Sequence, residues 1–298
     1  MIFSTRIVQN RSFFLPWSYK KKSLYTLALT RSVPDSFVNA ISSSPKDSKN
    51  AISVPEARIQ HDVYEGNLRT LTYTLTIPAA EDYPDCPFVE DTVVAIGKSA
   101  VVNRIGAKSR VGEADEIEKL LVNMGLDVTD MRKVSDTATC DGGDVLYPGG
   151  KRKDMFVGMF GRTNEEGVDI LQQKFRDLNV IPIPDVDGSG TLHLKSIVTH
   201  MDENTLVVPK DDLADEIILA MGAEEKGYNI VKVPDKRICN LVSVNGVILA
   251  STTDCVESQN ILNQAASERN IEIRYLNMNE FAKADGSLTC LSVLLNLD

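Results

Sequence analysis

The feature that most limits what this chain can become is a unit of strand, strand, helix and strand that recurs along it. Runs of β-branched and aliphatic residues come in pairs: Thr92–Ile96 with Ala100–Asn103, Asp144–Tyr147 with Asp154–Gly158, Ser196–Thr199 with Thr205–Val208, and Asn240–Val244 with Gly246–Ala250. Stretches with apolar residues at helical spacing follow, at Glu113–Met124, Asn164–Leu178, Asp212–Ala220 and Val256–Glu268. Further strands are predicted at Val180–Ile183, Tyr228–Val233 and Ile271–Leu276. Ahead of these lie a strand at Lys22–Arg31, a helix over Pro55–Leu71 and a strand at Leu75–Pro78. The last apolar run, Ser292–Leu295, is expected to pair with the N-terminal strand. The period is roughly 45–60 residues, with no repeat in residue identity. An α/β ring of five such modules uses this period and protects most sheet edges. A doubly wound sheet is the competing α/β arrangement.

Four polar islands interrupt the apolar sequence, each next to the start of a module's strands. They are Asp85–Asp91, Asp141–Asp144, Leu192–Ser196 and Leu288–Ser292. In a ring they would converge at one end of a central channel. Together they supply carboxylates, one histidine and one cysteine, the parts of a thiol nucleophile with an acid/base partner in a cation-holding pocket.

Taken singly, each island has a plainer reading. Cys290 between a Gly-containing turn and a short apolar strand is most often a buried small hydrophobe. His193 between two leucines reads as a core histidine. His193 is nevertheless the acid/base by elimination, because only three histidines are present: His61 lies in a polar helical stretch, and His200, after a strand, is expected at the surface. Asp141-Gly142-Gly143-Asp144 suits a tight turn, but an apolar strand follows at once, which would set a carboxylate at a channel mouth. Glu90-Asp91 is either a solvated pair or a strand-end acidic pair. Arg104 and Arg162 are either surface charges or clamps that hold a carboxylate bidentately.

Composition narrows the class. The formal net charge is −10, and residues 1–34 hold six Lys/Arg and no acid, which leaves −16 on residues 35–298. An acidic body repels phosphates, so nucleic acid is not expected as a partner, and it favours small cations. Five scattered cysteines without a CxxC pair argue against a zinc ribbon, a thioredoxin-type site or a disulfide framework, and suggest a reduced, cytoplasmic setting. No apolar run reaches the roughly 18 residues of a membrane span. Residues 1–24 are basic and acid-free, compatible with a mitochondrial transit peptide or a plain N-terminal extension. Residues 25–298 are expected to form one catalytic domain.

On Pro84–Asp91, Asp141–Leu146, Arg162-Thr163-Asn164, Leu192–Ser196 and Asp285–Cys290, the chain resembles the dimethylarginine dimethylaminohydrolases. These belong to the guanidino-group-modifying superfamily that also holds arginine deiminases and amidinotransferases. The resemblance runs from about Tyr25 to Leu297. It implies a five-bladed αβ-propeller of the pentein type with its active site in the central channel. It implies Cys290 as nucleophile, His193 as general acid/base and Asp141 as the residue that orients the histidine. Asp91 would bind the guanidinium, with Glu90 an acid beside it. Asp85 would hold the substrate α-amino group, with main-chain oxygens of Val33 and Ala284, and Arg104 and Arg162 would bind the α-carboxylate. The implied reaction converts Nω,Nω-dimethyl-L-arginine and Nω-methyl-L-arginine to citrulline plus dimethylamine or methylamine. Removing these inhibitors of nitric-oxide synthase would indirectly sustain nitric-oxide production.

No cofactor and no metal are required, although a thiolate at Cys290 and the His193 imidazole could also take zinc as an inhibitor. Three departures stand out: a longer Asp187–Thr191 segment, Val33 in place of leucine, and Leu291 where vertebrate relatives carry a second cysteine. An arginine deiminase and a non-catalytic binding propeller are the alternatives. A catalytic Cys290 should react first with iodoacetamide and be protected by a methylarginine. Monomer and homodimer are equally compatible with the sequence.

Overall fold

A computed structural model describes residues 24–43, 51–186 and 190–297. The expected extension over residues 1–24 lies almost wholly outside them. Fifteen strands are found in the described residues: β1 (Leu27–Arg31), β2 (Tyr73–Ile77), β3 (Val93–Ile96), β4 (Ser99–Val102), β5 (Asp127–Asp130), β6 (Val145–Leu146), β7 (Asp154–Met159), β8 (Asn179–Pro184), β9 (Thr199–Asp202), β10 (Thr205–Pro209), β11 (Asn229–Val233), β12 (Val242–Val244), β13 (Val247–Ser251), β14 (Glu272–Leu276) and β15 (Val293–Leu295). The helices are α1 (Val54–Leu71), α2 (Ala114–Asn123), α3 (Met131–Val134), α4 (Glu165–Lys174), α5 (Asp212–Met221), α6 (Val256–Ser267) and α7 (Asn279–Ala282).

The strands form five three-stranded sheets of one design, ordered β15-β1-β2, β3-β4-β5, β6-β7-β8, β9-β10-β11 and β12-β13-β14. In each, the middle strand runs antiparallel to a short inner strand and parallel to an outer one. The middle strands carry the strongest apolar runs, such as Val247-Ile248-Leu249-Ala250, and are buried on both faces. A parallel return to the outer strand needs a crossover, and α1, α2, α4, α5 and α6 supply it. Each crossover helix buries its apolar face between sheets. Ile117 and Leu121 of α2, for example, pack with Ala100 and Val102 of β4 and Leu27 and Leu29 of β1.

The C-terminal strand completes the first sheet, with Leu27 opposite Leu295 and Leu29 opposite Val293. Pairing of the chain's two ends was expected, and it closes the ring. The result is a five-bladed αβ-propeller; the doubly wound sheet is excluded, because no sheet among the described residues exceeds three strands. Inner strands of neighbouring blades lie side by side, β15 beside β3 and β12 beside β9. They surround an axial cavity of about 340 Å³.

Two sequence readings need correction. Ser196–Thr199 is not a strand: Leu194–Ser196 is a 3-10 turn, Ile197 is helical, and β9 begins only at Thr199. Its apolar side chains are buried through the turn rather than through a sheet. β5 went unread because only Val128 in Asp127-Val128-Thr129-Asp130 is aliphatic. His200 is not at the surface but lines the axial cavity. Burial there, and then Lys195, push its imidazole down to about 4.

Candidate active site

Just before every inner strand the chain makes a 3-10 turn: Val89–Thr92, Gly142–Asp144, Leu194–Ser196, Lys236–Cys239 and Thr289–Leu291. Pseudo-fivefold placement brings these turns to one end of the axis, and polar side chains stitch them together. Gly143 N donates to Asp91 Oδ1 at 3.0 Å. Lys195 Nζ pairs with Glu90 Oε1 at 2.5 Å. Asn240, just after the fourth turn, donates to Lys195 O and to Thr289 Oγ1 and accepts from Thr289 N.

The Asp141–His193 pair sits in this ring. His193 Nε2 lies 2.9 Å from Asp141 Oδ2, and Asp141 Oδ1 accepts from Gly106 N at 2.6 Å. A Cβ at Gly143 would come within 2.5 Å of His193 Nδ1, so only glycine admits the ring here. Burial alone would lower the imidazole pKa. Asp91 first, then the hydrogen bond to Asp141 and the charge of Asp144, outweigh it and raise His193 to about 9. The ring is therefore an imidazolium at neutral pH.

Cys290 lies on the fifth turn and shares a cavity of about 230 Å³ with His193, Asp91, Asp85, Arg110 and Arg162. Ala284 and the Ile41–Ser43 segment complete the wall. Burial, with the charges of Glu90 and Asp91, pushes the thiol up to about 12. At neutral pH Cys290 is thus a thiol that shares its cavity with a cationic imidazole. The labelling expectation changes with it. Carboxamidomethylation of Cys290 in the ligand-free protein should be slow at pH 7 and should accelerate tenfold per pH unit to beyond pH 9, because the thiolate fraction rises in that way below the pKa. Mass spectrometry of the Cys290 peptide after timed labelling checks this; a rate already flat at pH 8 would show a low thiol pKa.

The remaining predicted residues divide. Asp91 is deeply buried, and although burial opposes it, His193 and Arg110 hold the carboxyl below its usual range. Glu90 is pushed up by burial, and its Oε2 has no hydrogen-bond partner. Asp85 lines the cavity, and its Oδ1 accepts from Ile41 N at 3.0 Å. Val33 is not brought into the cavity wall: Arg58 occupies its carbonyl oxygen, with Nε at 3.1 Å and Nη2 at 3.0 Å.

Arg104 is also elsewhere, donating from Nη2 to the carbonyls of Arg132 and Ser135 around the end of α3, where helix carbonyls lack partners. Arg110 holds the place expected of it. Its guanidinium is buried, with Nη1 on Asp91 Oδ2 at 2.7 Å, Nε and Nη2 on the two oxygens of Glu113, and Nη2 on Phe88 O. Sequence reading missed Arg110, Lys195 and Asn240. The Arg110–Glu113 spacing of three on one turn was an available signal.

An axial thiol, an imidazole–carboxylate pair and buried acids on a five-bladed ring of ββαβ units define a pentein-type, guanidino-modifying propeller. Comparison with known proteins narrows this. Residues 31–293 match the family described as N,N dimethylarginine dimethylhydrolase, eukaryotic, and the chain belongs to that family. It is 30% identical over 275 residues to an uncharacterized protein of Aeropyrum pernix, covering 91% of this chain and 95% of that one. It is 32% identical over 226 residues to the N(G),N(G)-dimethylarginine dimethylaminohydrolase of Streptomyces coelicolor, covering 74% and 79%. A solved DDAH from Pseudomonas aeruginosa, a cysteine-to-serine mutant complexed with citrulline, superposes with a TM-score of 0.77 at 22% identity, over 91% of this chain and 99% of that one.

Proposed function

We propose that the protein hydrolyses Nω,Nω-dimethyl-L-arginine and Nω-methyl-L-arginine to citrulline plus the methylated amine, through a covalent intermediate on Cys290. The observation that carries this is the gathering of Cys290, His193 and Asp91 in one cavity, with Asp141 holding His193 from behind and Asp85 and Arg162 also on the wall. A guanidinium is planar and resonance-stabilised, so its carbon is a poor electrophile until it is held protonated and oriented. Asp91, with Glu90 beside it, supplies the negative charge to do so. Arg162 and Arg110 offer cationic groups to a carboxylate, and Asp85 offers an anion to an ammonium.

The pKa directions suit a substrate-triggered reaction. A guanidinium brought next to Cys290 offsets the charges of Glu90 and Asp91 and lowers the thiol pKa. The Cys290 thiol then gives its proton to solvent, and its thiolate attacks the guanidinium carbon to form a neutral tetrahedral adduct. Collapse of the tetrahedral adduct breaks the C–N bond to the methylated nitrogen. The His193 imidazolium protonates the departing amine, which leaves a neutral imidazole and an S-linked thiouronium. The neutral ring next takes a proton from water as the water attacks the same carbon. The C–S bond then breaks as the adduct's hydroxyl proton passes to sulfur, which releases citrulline and restores the Cys290 thiol, and His193 ends as an imidazolium. Clearing methylarginines that inhibit nitric-oxide synthase would indirectly sustain nitric-oxide synthesis.

Citrulline release from dimethylarginine, monomethylarginine and arginine, measured side by side, tests the reading. The methylated substrates should turn over at least about tenfold better in kcat/KM than arginine, the range that one or two methyl groups decide in a fitted pocket. Turnover mainly of arginine would make the protein a deiminase. No turnover of any of them by folded protein would bring forward the binding propeller.

A further inference from the structure

The Asp141–Asp144 turn carries two carboxylates, and the proposed mechanism uses only the first. Three residues apart on a 3-10 turn, the two acids stack on one face. Asp144 is fully buried, and both of its oxygens are engaged. Oδ1 accepts from Leu194 N at 3.0 Å, the amide that immediately follows His193. Oδ2 accepts from Thr163 Oγ1 at 2.7 Å, and the same hydroxyl accepts from Asp141 N at 3.2 Å. The Thr163 hydroxyl therefore ties the backbone of one acid to the side chain of the other. Asp141 grips the imidazole at Nε2 while Asp144 grips the peptide that the imidazole grows from. Leu194 is itself buried against the Gly158 backbone, so the segment has little room to adjust.

We propose that Asp144, locked by Thr163, is a positioning residue that sets both the orientation and the proton affinity of His193, so that this turn provides a two-point mount for the acid/base. The inference rests on the proposed role of His193, but the mount itself is independent of which guanidino substrate reacts. A purely structural carboxylate would need only to satisfy Leu194 N and Thr163 Oγ1. The charge of Asp144 does more, because it also acts on the imidazole. The ring also feels Asp91 from the first turn and Asp141 from the second, shares its cavity with Asp85, Arg110, Arg162 and Cys290, and Cys140 lies beside both acids of the second turn. Burial raises the Asp144 carboxyl to about 7, against the opposing pull of His193, Thr163 and Leu194. It therefore gives up its proton before His193, at about 9, gives up its own.

The sign follows directly. An anion near an imidazole favours the charged ring, so its removal lets the proton leave at lower pH. Asp144→Asn keeps an acceptor for Leu194 N and removes the charge. In the full chain, NMR titration of labelled imidazole nitrogens reads His193 directly, with only His61 and His200 to separate from it. In Asp144→Asn the His193 pKa should fall by at least half a unit, and kcat should drop about 10- to 100-fold with KM little changed, the size typical of groups that orient a reacting side chain from behind. The alkaline limb of the pH–kcat profile should move in the same direction. Thr163→Val should lower kcat similarly, and Thr163→Ser should restore it. An unchanged His193 titration and kcat in a folded Asp144→Asn protein would overturn the proposal, as would Thr163→Ser behaving like Thr163→Val. If the wild-type protein releases no citrulline, the reaction reading has failed, and the NMR titration still decides the mount.

Discussion

Serine in place of Cys290 is expected to abolish citrulline release from dimethylarginine, with kcat lowered by about 10⁴-fold or more, the scale of removing a nucleophile. The change is nearly isosteric, so the turn Thr289–Leu291, pinned by Asn240, should persist and the protein should stay folded. A hydroxyl is far less acidic than a thiol, and the one base at hand, His193, already holds a proton at neutral pH. Nothing remains to make an alkoxide. Binding should survive, because Asp91, Arg110 and Arg162 are untouched; dimethylarginine should bind the variant with a Kd within a few-fold of the wild-type KM. The other four thiols cannot substitute. Cys86, Cys140 and Cys239 are buried, and Cys255 begins α6, outside the wall of this cavity. Measuring kcat and Kd together makes the test specific: weak binding would point to misfolding, and turnover above about 1% of wild type would remove Cys290 from the mechanism.

The second large effect concerns Arg110. Its guanidinium bridges two buried acids, holding Glu113 through a forked pair and Asp91 through a single bond. Arg110→Gln leaves both acids buried without their cation, and breaking such a pair from one side costs about 3–5 kcal/mol. For a chain of this size that corresponds to a fall in Tm of about 5–8 °C, readable by thermal melting followed by circular dichroism. Arg110→Lys should recover only part of it, because an ammonium cannot reproduce the fork. Arg104→Ala is the control for the geometry. Its guanidinium serves two backbone carbonyls away from the cavity, so the variant should lose some stability and leave KM unchanged. Arg162→Ala, on the cavity wall, should raise KM at least about tenfold by removing a charge-assisted hydrogen bond of about 1.5–3 kcal/mol. Equal KM increases in Arg104→Ala and Arg162→Ala would contradict the placement of the two arginines.

These two cases show where the sequence was readable and where it was not. The ring was legible because the middle strands are apolar on both faces and the crossover helices keep a 3.6-residue period, as α2 does with Ile117 and Leu121. β5 lacked a signal because an exposed outer strand gains its order from hydrogen bonds to β4 and needs few apolar residues. Cys290, His193 and Asp141 could be singled out as candidates because reactive groups are few and each sits in an island beside a strand start, while the roles given to Cys290 and Asp141 came from the family resemblance. Arg110 could not be singled out, because its role depends on reaching back 19 residues to Asp91 across the β3–β4 hairpin, and nothing in its own segment marks Asp91 as a partner. Asn240 links turns 45 and 49 residues away and has no local signature at all. Arg104 was misplaced because a strand-flanking arginine has no marker for the direction its side chain takes; the unpaired carbonyls at the end of α3 decided it.

The most direct test of the account is to catch the intermediate. Wild-type protein mixed with dimethylarginine, quenched in acid within milliseconds and digested, should yield the Cys290 peptide heavier by the mass of dimethylarginine less dimethylamine. The adduct should be absent from the Cys290→Ser protein and absent when citrulline replaces the substrate. Citrulline produced at full rate with no adduct on any peptide, or an adduct on a cysteine other than Cys290, would contradict it.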